Sequence, residues 1–169
     1  MSAAKAESLA LQRVYHWEGT SPDRIALSQP MGGGVVRDFT WGRVADQVRR
    51  MDAHLKAQGW EPGSKVAILS KNCAWWLMSD LAIWMAGHVL VPLYPTLTSG
   101  TVTRILTTAK RGPAFVGKLD GWEGMKPGVP AGLPACRASA TRLCRRRTRS
   151  RASRAGMRSV RATRRSRAK

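Results

Sequence analysis

The chain has 169 residues and a formal net charge of +19, but the charge is not spread along it. Residues 1–134 hold fifteen basic residues, all ten acids and all seven Trp, for a charge of +5, whereas residues 135–169 hold thirteen Arg, one Lys and no acid, for +14. The length predicts one domain, and the overall charge excludes no function class for the first 134 residues, because most of it belongs to the rest.

In chain order, Ser8 to Trp17 predicts a short helix. Arg24–Ser28 and Val35–Phe39 read as strands joined through Gly32, Gly33 and Gly34, which is a hairpin signal. No helix opens directly after these glycines, so they are not a phosphate cradle. Thr40 is suited to cap the next helix. Trp41, Val44, Ala45, Val48, Met51 and Leu55 recur at three- and four-residue steps, which predicts an amphipathic helix over Trp41–Gln58. Gly59 ends it, and Glu61-Pro62-Gly63 makes a turn. Lys65–Ser70 reads as a strand covered on both faces. Asn72 is the expected cap of a helix over Ala74–Ala86, which Gly87 ends. Val89–Leu93 reads as a second buried strand. Thr98 or Ser99 caps a helix to about Thr108, and Ala114–Val116 is a third strand. From Gly117 to Pro134, Gly and Pro predict loop, with Trp122 as its large apolar anchor. Helices alternating with strands imply parallel crossover units.

Cys73, Cys136 and Cys144 make an odd count, and MSAAKAESLALQRVYHWEGT shows no apolar run before a small-residue cleavage site. No disulfide framework is expected, and a cytoplasmic location is. The Cys136 to Cys144 gap fits no zinc spacing, so three free thiols are expected. Cys73–Tyr94 is long enough for a membrane span. However, Asp80 lies inside it and Pro92 near its end, and a charge at that depth is costly. A helix, a Gly turn and a strand account for the same letters, so no transmembrane segment is expected.

Three runs carry a family likeness: PDRIALS (Pro22–Ser28), FTWGRVADQVRRMDAHLKAQGWEPGSKVAILSKNCAWWLMSDLAIWMAGHVLVPLYPTLT (Phe39–Thr98) and FVGKLDGWEGMKPGVPAGLP (Phe115–Pro134). In this order and spacing they resemble the N-terminal part of the adenylate-forming ligases, and most closely the AMP-dependent long-chain fatty-acid–CoA ligases. The resemblance implies an α/β fold with a partial parallel sheet and packed helices. It also implies a chemistry in which ATP and a fatty acid form an acyl-adenylate and pyrophosphate, after which CoA displaces AMP. That chemistry uses Mg²⁺, a phosphate loop, an acid that holds the ribose and a Lys from a mobile C-terminal domain. None of these has a matching position here, so no catalytic, cofactor-binding or metal residue carries over. The chain is expected to be a truncated fragment, inactive alone and binding no cofactor itself. Residues 1–134 would be a partial AMP-binding domain and 135–169 a disordered Arg-rich tail.

Two stretches depart from the family pattern: Thr107–Pro113 (TTAKRGP), and everything from Ala135. The tail's Arg, Ala, Ser and Thr are what a shifted reading frame of a GC-rich gene yields. The alternative is a small basic protein whose tail, with Arg145, Arg146, Arg147 and Arg149, binds nucleic acid or another polyanion nonspecifically. No aromatic residue interleaves these arginines, so base stacking is not offered.

Other motifs have plainer readings. Thr98-Ser99-Gly100-Thr101 matches the opening of the family's phosphate loop, but Val102-Thr103-Arg104-Ile105 follows instead of Gly-x-Pro-Lys-Gly. A helix cap is the expected role. His16, His54 and His88 have no sequence partner for catalysis; His54 is expected at a surface or boundary and His88 at a helix-to-strand turn. Asp80 is expected to face a polar side of its helix or to cap a neighbour. Trp75, Trp76 and Trp84 are expected in the core rather than lining a lipid wall.

Overall fold

The structure, a computed structural model, describes residues 9–109, 113–117, 119–133, 135–139 and 142–146. Helix α1 (Ala10–Thr20) leads into strands β1 (Ile25–Gly32) and β2 (Val35–Thr40). These strands pair antiparallel around Gly33 and Gly34, whose φ values of 58° and 77° explain why glycine occupies a two-residue turn. Helix α2 (Trp41–Lys56) starts where the Thr40 side chain accepts the Arg43 N–H at 3.4 Å. It buries Val44, Ala45, Val48, Met51 and Leu55, the predicted stripe. Helix α1 is pinned to it by Trp17 stacked on Trp41 with ring centroids 6.3 Å apart, and by Glu18, which accepts both terminal guanidinium N–H groups of Arg49. That bidentate bond holds the Glu18 carboxyl below its usual range.

The remaining strands are β3 (Lys65–Leu69), β4 (Val89–Leu93), β5 (Ala114–Val116), β6 (Ala135–Ser139) and β7 (Arg142–Arg146). They form one sheet in the order β4-β3-β5-β6-β7. The pairs β3–β4, β3–β5 and β5–β6 are parallel, and β6–β7 is antiparallel. Helix α3 (Ala74–Met85) connects β3 to β4, and α4 (Ser99–Thr108) carries the chain back past β3 to β5. The two crossovers run in opposite directions along the sheet. Right-handed connections must then place α3 and α4 on opposite faces.

Burial agrees with this. Val66 and Ile68 of β3, with Phe115 of β5, pack with Phe39 and with α2 and α3 residues including Leu55, Met78 and Ile83. Ala67, Leu69 and Ala114 pack with Leu93, Val102, Leu106 and Met125 in a second cluster. Alternate residues of one strand thus feed two cores, and the sheet is the middle of three layers.

Three sequence expectations change. Helix α3 takes Cys73, not Asn72, as N-cap, with no side-chain cap bond; the first N–H of the helix, on Ala74, is instead satisfied by Gln29 from β1. Strand β4 is not fully buried: it is the sheet's outer strand, and Val89 is exposed. The Gly/Pro segment after β5 is more ordered than loop, since Trp122–Met125 forms a short helix, α5, followed by a 3₁₀ turn at Lys126–Gly128. Within the stretch expected to be disordered, Ala135–Ser139 pairs with β5 and Arg142–Arg146 with β6. The physical reason is the free edge of β5, a template of backbone donors and acceptors that an adjacent extended segment satisfies. The other tail residues lie outside the described residues.

Candidate functional site at the carboxyl ends of the strands

A sheet whose connections reverse direction opens a crevice at the carboxyl ends of the two strands flanking the reversal, where such folds bind ligands. Here those strands are β3 and β5. The residues following them are Ser70 and Lys71 on one side, and Gly117 and Asp120 on the other.

The crevice is tightly closed. The Gly117 N–H donates to the Leu69 carbonyl at 2.9 Å. A Cβ at position 117 would fall 2.4 Å from Ser70 Oγ, so glycine is what allows the approach. Ser70 is 5% exposed and its hydroxyl donates to the Lys71 carbonyl at 2.9 Å. Above this contact Lys71 and Asp120 form an ion pair. Among the described residues the rim therefore offers a paired acid and base.

Beside it lies an open groove of about 380 Å³ between β1 and the start of α3, lined by Gln29, Pro30, Asn72, Cys73, Trp76 and Leu77 among others. Gln29 organises its floor. Its Nε2 donates to the Pro30 carbonyl at 2.8 Å and its Oε1 accepts the Ala74 N–H at 2.9 Å. The sequence signal for this role is weak: a lone Gln in a strand reads as an outward polar residue. Gly117 was more legible, since a glycine directly after a buried apolar strand marks close backbone approach.

The remaining candidates are spread apart in role. Thr98 caps α4, its Oγ1 accepting the Thr101 N–H at 3.4 Å, as expected. In the first turn of α4 Ser99 is half-buried, whereas Thr98, Gly100 and Thr101 are exposed. A Cβ at Gly128 would lie 2.2 Å from the Ser99 carbonyl oxygen, and Thr103 Oγ1 lies 3.0 Å from the carbonyl oxygens of both Ser99 and Gly128. Thr98–Thr101 does not fit a phosphate loop, because Thr98 is engaged as the helix cap and Val102-Thr103-Arg104-Ile105 supply no further Gly, Pro or Lys.

His16 is exposed against Trp17, and His54 is half-buried on α2. His88 is 6% exposed, stands 5.9 Å from the Trp60 ring, and has no hydrogen-bond partner on either ring nitrogen among the described residues. Asp80 is half-buried rather than on a polar side, with Oδ1 unpartnered among the described residues; burial raises its pKa. Trp75 and Trp76 pack against the first core, but Trp84, expected there, is 43% exposed. It sits seven residues from the exposed Leu77, on the side of α3 away from α2's stripe. Cys73 is a free thiol; Cys136, Cys144, Arg145 and Arg146 are positions in β6 and β7, and Arg147 and Arg149 lie outside the described residues. Among the described residues no three His, Cys, Asp or Glu side chains gather as metal ligands. No helix among them is long and apolar enough to cross a membrane; the Cys73–Tyr94 stretch is α3, a turn and β4.

The fold and the reversal between β3 and β5 can now be set against known proteins. The family described as AMP-binding enzyme matches residues 14–153, a range that covers the whole sheet and runs past Pro134. The chain belongs to the AMP-binding enzyme family. Long chain acyl-CoA synthetase 1 of Arabidopsis thaliana is 38% identical over 77 residues, which is 46% of this chain and 12% of that protein. Long-chain-fatty-acid–CoA ligase FadD15 of Mycobacterium bovis is 29% identical over 124 residues, 73% of this chain and 20% of that protein. Among solved structures, the fatty acyl-adenylate ligase from L. pneumophila, in complex with acyl adenylate and pyrophosphate, matches with a TM-score of 0.63 at 20% identity. That match covers 83% of this chain and 26% of the ligase. IdnL1 matches with a TM-score of 0.68 at 17% identity, covering 83% and 28%. These identities carry the fold. The chain spans a fifth or less of the two curated relatives' length.

Proposed function

We propose that residues 14–133 supply a sheet-and-helix portion of the large domain of an ATP-dependent long-chain fatty-acid–CoA ligase, and that this chain alone does not adenylate a fatty acid. The observation that supports the reading is the AMP-binding match laid along a sheet whose crossovers reverse between β3 and β5. Within this portion the residues act as scaffold. Ser70 and Gly117 lock two strand ends together, Lys71 and Asp120 tie the loops above them, and Gln29 fastens the hairpin to α3. ATP, Mg²⁺ and CoA enter as requirements of the complete ligase chemistry. No step is assigned to them on these residues, because Thr98 serves as a helix cap and no Gly-x-Pro-Lys-Gly run follows it. The reading carries with it a cytoplasmic location.

Two measurements test it. The purified chain should show only background ATP–pyrophosphate exchange with long-chain fatty acids; acid-dependent exchange abolished by Thr98→Ala or Gly100→Ala would overturn the cap reading. Replacing the matching stretch of FadD15 with residues 14–133 should leave a ligase that still forms acyl-CoA. A folded chimaera without adenylation activity would refute the placement.

A further inference from the structure

Two arginines converge on one indole ring where α1 meets the loop before β1. The guanidinium carbon of Arg24 lies 5.2 Å from the Trp17 ring centroid, and that of Arg13 lies 5.8 Å from it. Both arginines are exposed and Trp17 is half-buried. Neither arginine makes an ion pair among the described residues, and neither does Asp23 beside Arg24. Glu18, the acid next to Trp17, is taken by Arg49. The backbone at Arg24 is fixed, since its N–H donates to the Ser21 carbonyl at 3.2 Å and its carbonyl accepts the Trp41 N–H at 3.0 Å. An indole's π-system attracts each cation, and so holds two like charges near one point with no acid between them.

From this juxtaposition we infer that Arg13, Trp17 and Arg24 form a binding site for a phosphomonoester group. A guanidinium presents a planar fork of N–H donors that matches phosphate oxygens, and a pair of them matches a dianion, whereas a carboxylate needs only one. The ring presets both side chains, so less freedom is lost when the anion arrives. His16, exposed and edge-on to the ring with centroids 5.0 Å apart, offers a further ring N–H beside it. Base stacking is not part of the recognition, because Trp41 stacks on the same ring at 6.3 Å and the arginines cover more of it. The phosphoryl group is therefore read alone, whether a soluble molecule or a lipid headgroup carries it. This site goes beyond the ligase reading and does not rest on it.

The test follows the indole N–H resonance of Trp17 by NMR on the full chain, assigned through its loss in Trp17→Phe. This signal separates the site from the arginines of residues 135–169. Inorganic phosphate should shift it saturably, and acetate at the same concentration should not. Arg13→Gln and Arg24→Gln should each weaken phosphate binding about tenfold. Arg13→Lys/Arg24→Lys keeps the charges without the fork and should also weaken it, which decides the matter where the Gln variants fail to fold. Arg50→Gln, on α2 and paired with Asp46, is the control and should change nothing. A second arm measures co-sedimentation with phosphatidylcholine vesicles, with and without phosphatidic acid. Headgroup recognition should make Arg13→Gln/Arg24→Gln bind the phosphatidic acid vesicles about thirtyfold more weakly. An effect on phosphate alone assigns a soluble ligand, and an effect on vesicles alone assigns a lipid headgroup; each supports the site. No Trp17 shift with phosphate, together with vesicle binding that the substitutions leave unaltered, would overturn the proposal. So would an equal shift with acetate, or a phosphate-induced shift that survives in Arg13→Gln/Arg24→Gln.

Discussion

Adding one methyl group at Gly117 tests whether the β3 and β5 ends are locked as described. The new Cβ would fall 2.4 Å from Ser70 Oγ and 2.7 Å from Ser70 Cβ, but 3.8 Å from Ser70 Cα. The backbone cannot easily retreat, because the Gly117 N–H is bonded to the Leu69 carbonyl at 2.9 Å. Overpacking of this kind costs about 1–3 kcal/mol. With a urea m-value of about 2 kcal/mol/M, the unfolding midpoint should drop by roughly 1 M, read by tryptophan fluorescence. The obstacle is a side chain, so it can be removed. In a Ser70→Gly background the nearest remaining Ser70 atom is at ordinary contact distance, and Gly117→Ala should cost about 0.5 kcal/mol or less. The double-mutant cycle subtracts the cost of losing the Ser70 hydroxyl bond to Lys71 and leaves the steric coupling. Gly128→Ala gives the contrast: its obstacle is the Ser99 backbone at 2.2 Å, which no substitution at 99 removes. Gly124, with nothing within 4 Å, is the control and should tolerate Ala. A Gly117→Ala penalty that persists unchanged beside Ser70→Gly would refute the locked-crevice description.

Two further outcomes follow from the site. Gln29→Ala should lower stability by about 1 kcal/mol, the usual cost of leaving a helix-start N–H without its acceptor, whereas Asn72→Ala should change thermal stability little; the reverse order would restore Asn72 as the cap. Asp80→Asn should stabilise the protein at neutral pH. Burial raises the folded-state pKa of Asp80 above its ordinary value of 3.8, so the folded state favours the protonated acid. That preference is fully expressed below 3.8 and lost as pH rises through the folded value, so the variant's advantage should appear across that window and vanish in acid. A gain independent of pH would assign it to packing.

What was legible in the sequence was periodic. The α2 stripe from Val44 to Leu55 and the β3 run needed no tertiary knowledge, because each element's own spacing states which face is covered. What was not legible depended on partners far along the chain. Helix α3 begins at Ala74 because Gln29, forty-five residues earlier, reaches its first N–H, and Asn72 is the nearer but unused candidate. Apolar letters in β4 cannot reveal that the strand is at the edge, since Val89–Leu93 reads like a covered strand until the sheet order is known. Trp84 misled for a related reason. Helix α3 is apolar nearly all round, so its sequence marks no outward side, and only packing shows that Trp84 and Leu77 are left exposed.

The scaffold reading and the reversal of the sheet depend on each other. A crevice between diverging crossovers is normally where an α/β sheet receives its ligand. Here the Ser70–Gly117 contact closes the space between the two strand ends, and the exposed Lys71–Asp120 pair ties the loops beyond them. A closed crevice converts the switch point from a binding feature into a joint. A joint at this position stiffens the sheet against sliding of β5 past β3, and does so through contacts only a few residues wide. Function that needs an open pocket must then be formed with surfaces beyond this joint, such as the open groove between β1 and α3 that Trp76 and Leu77 line.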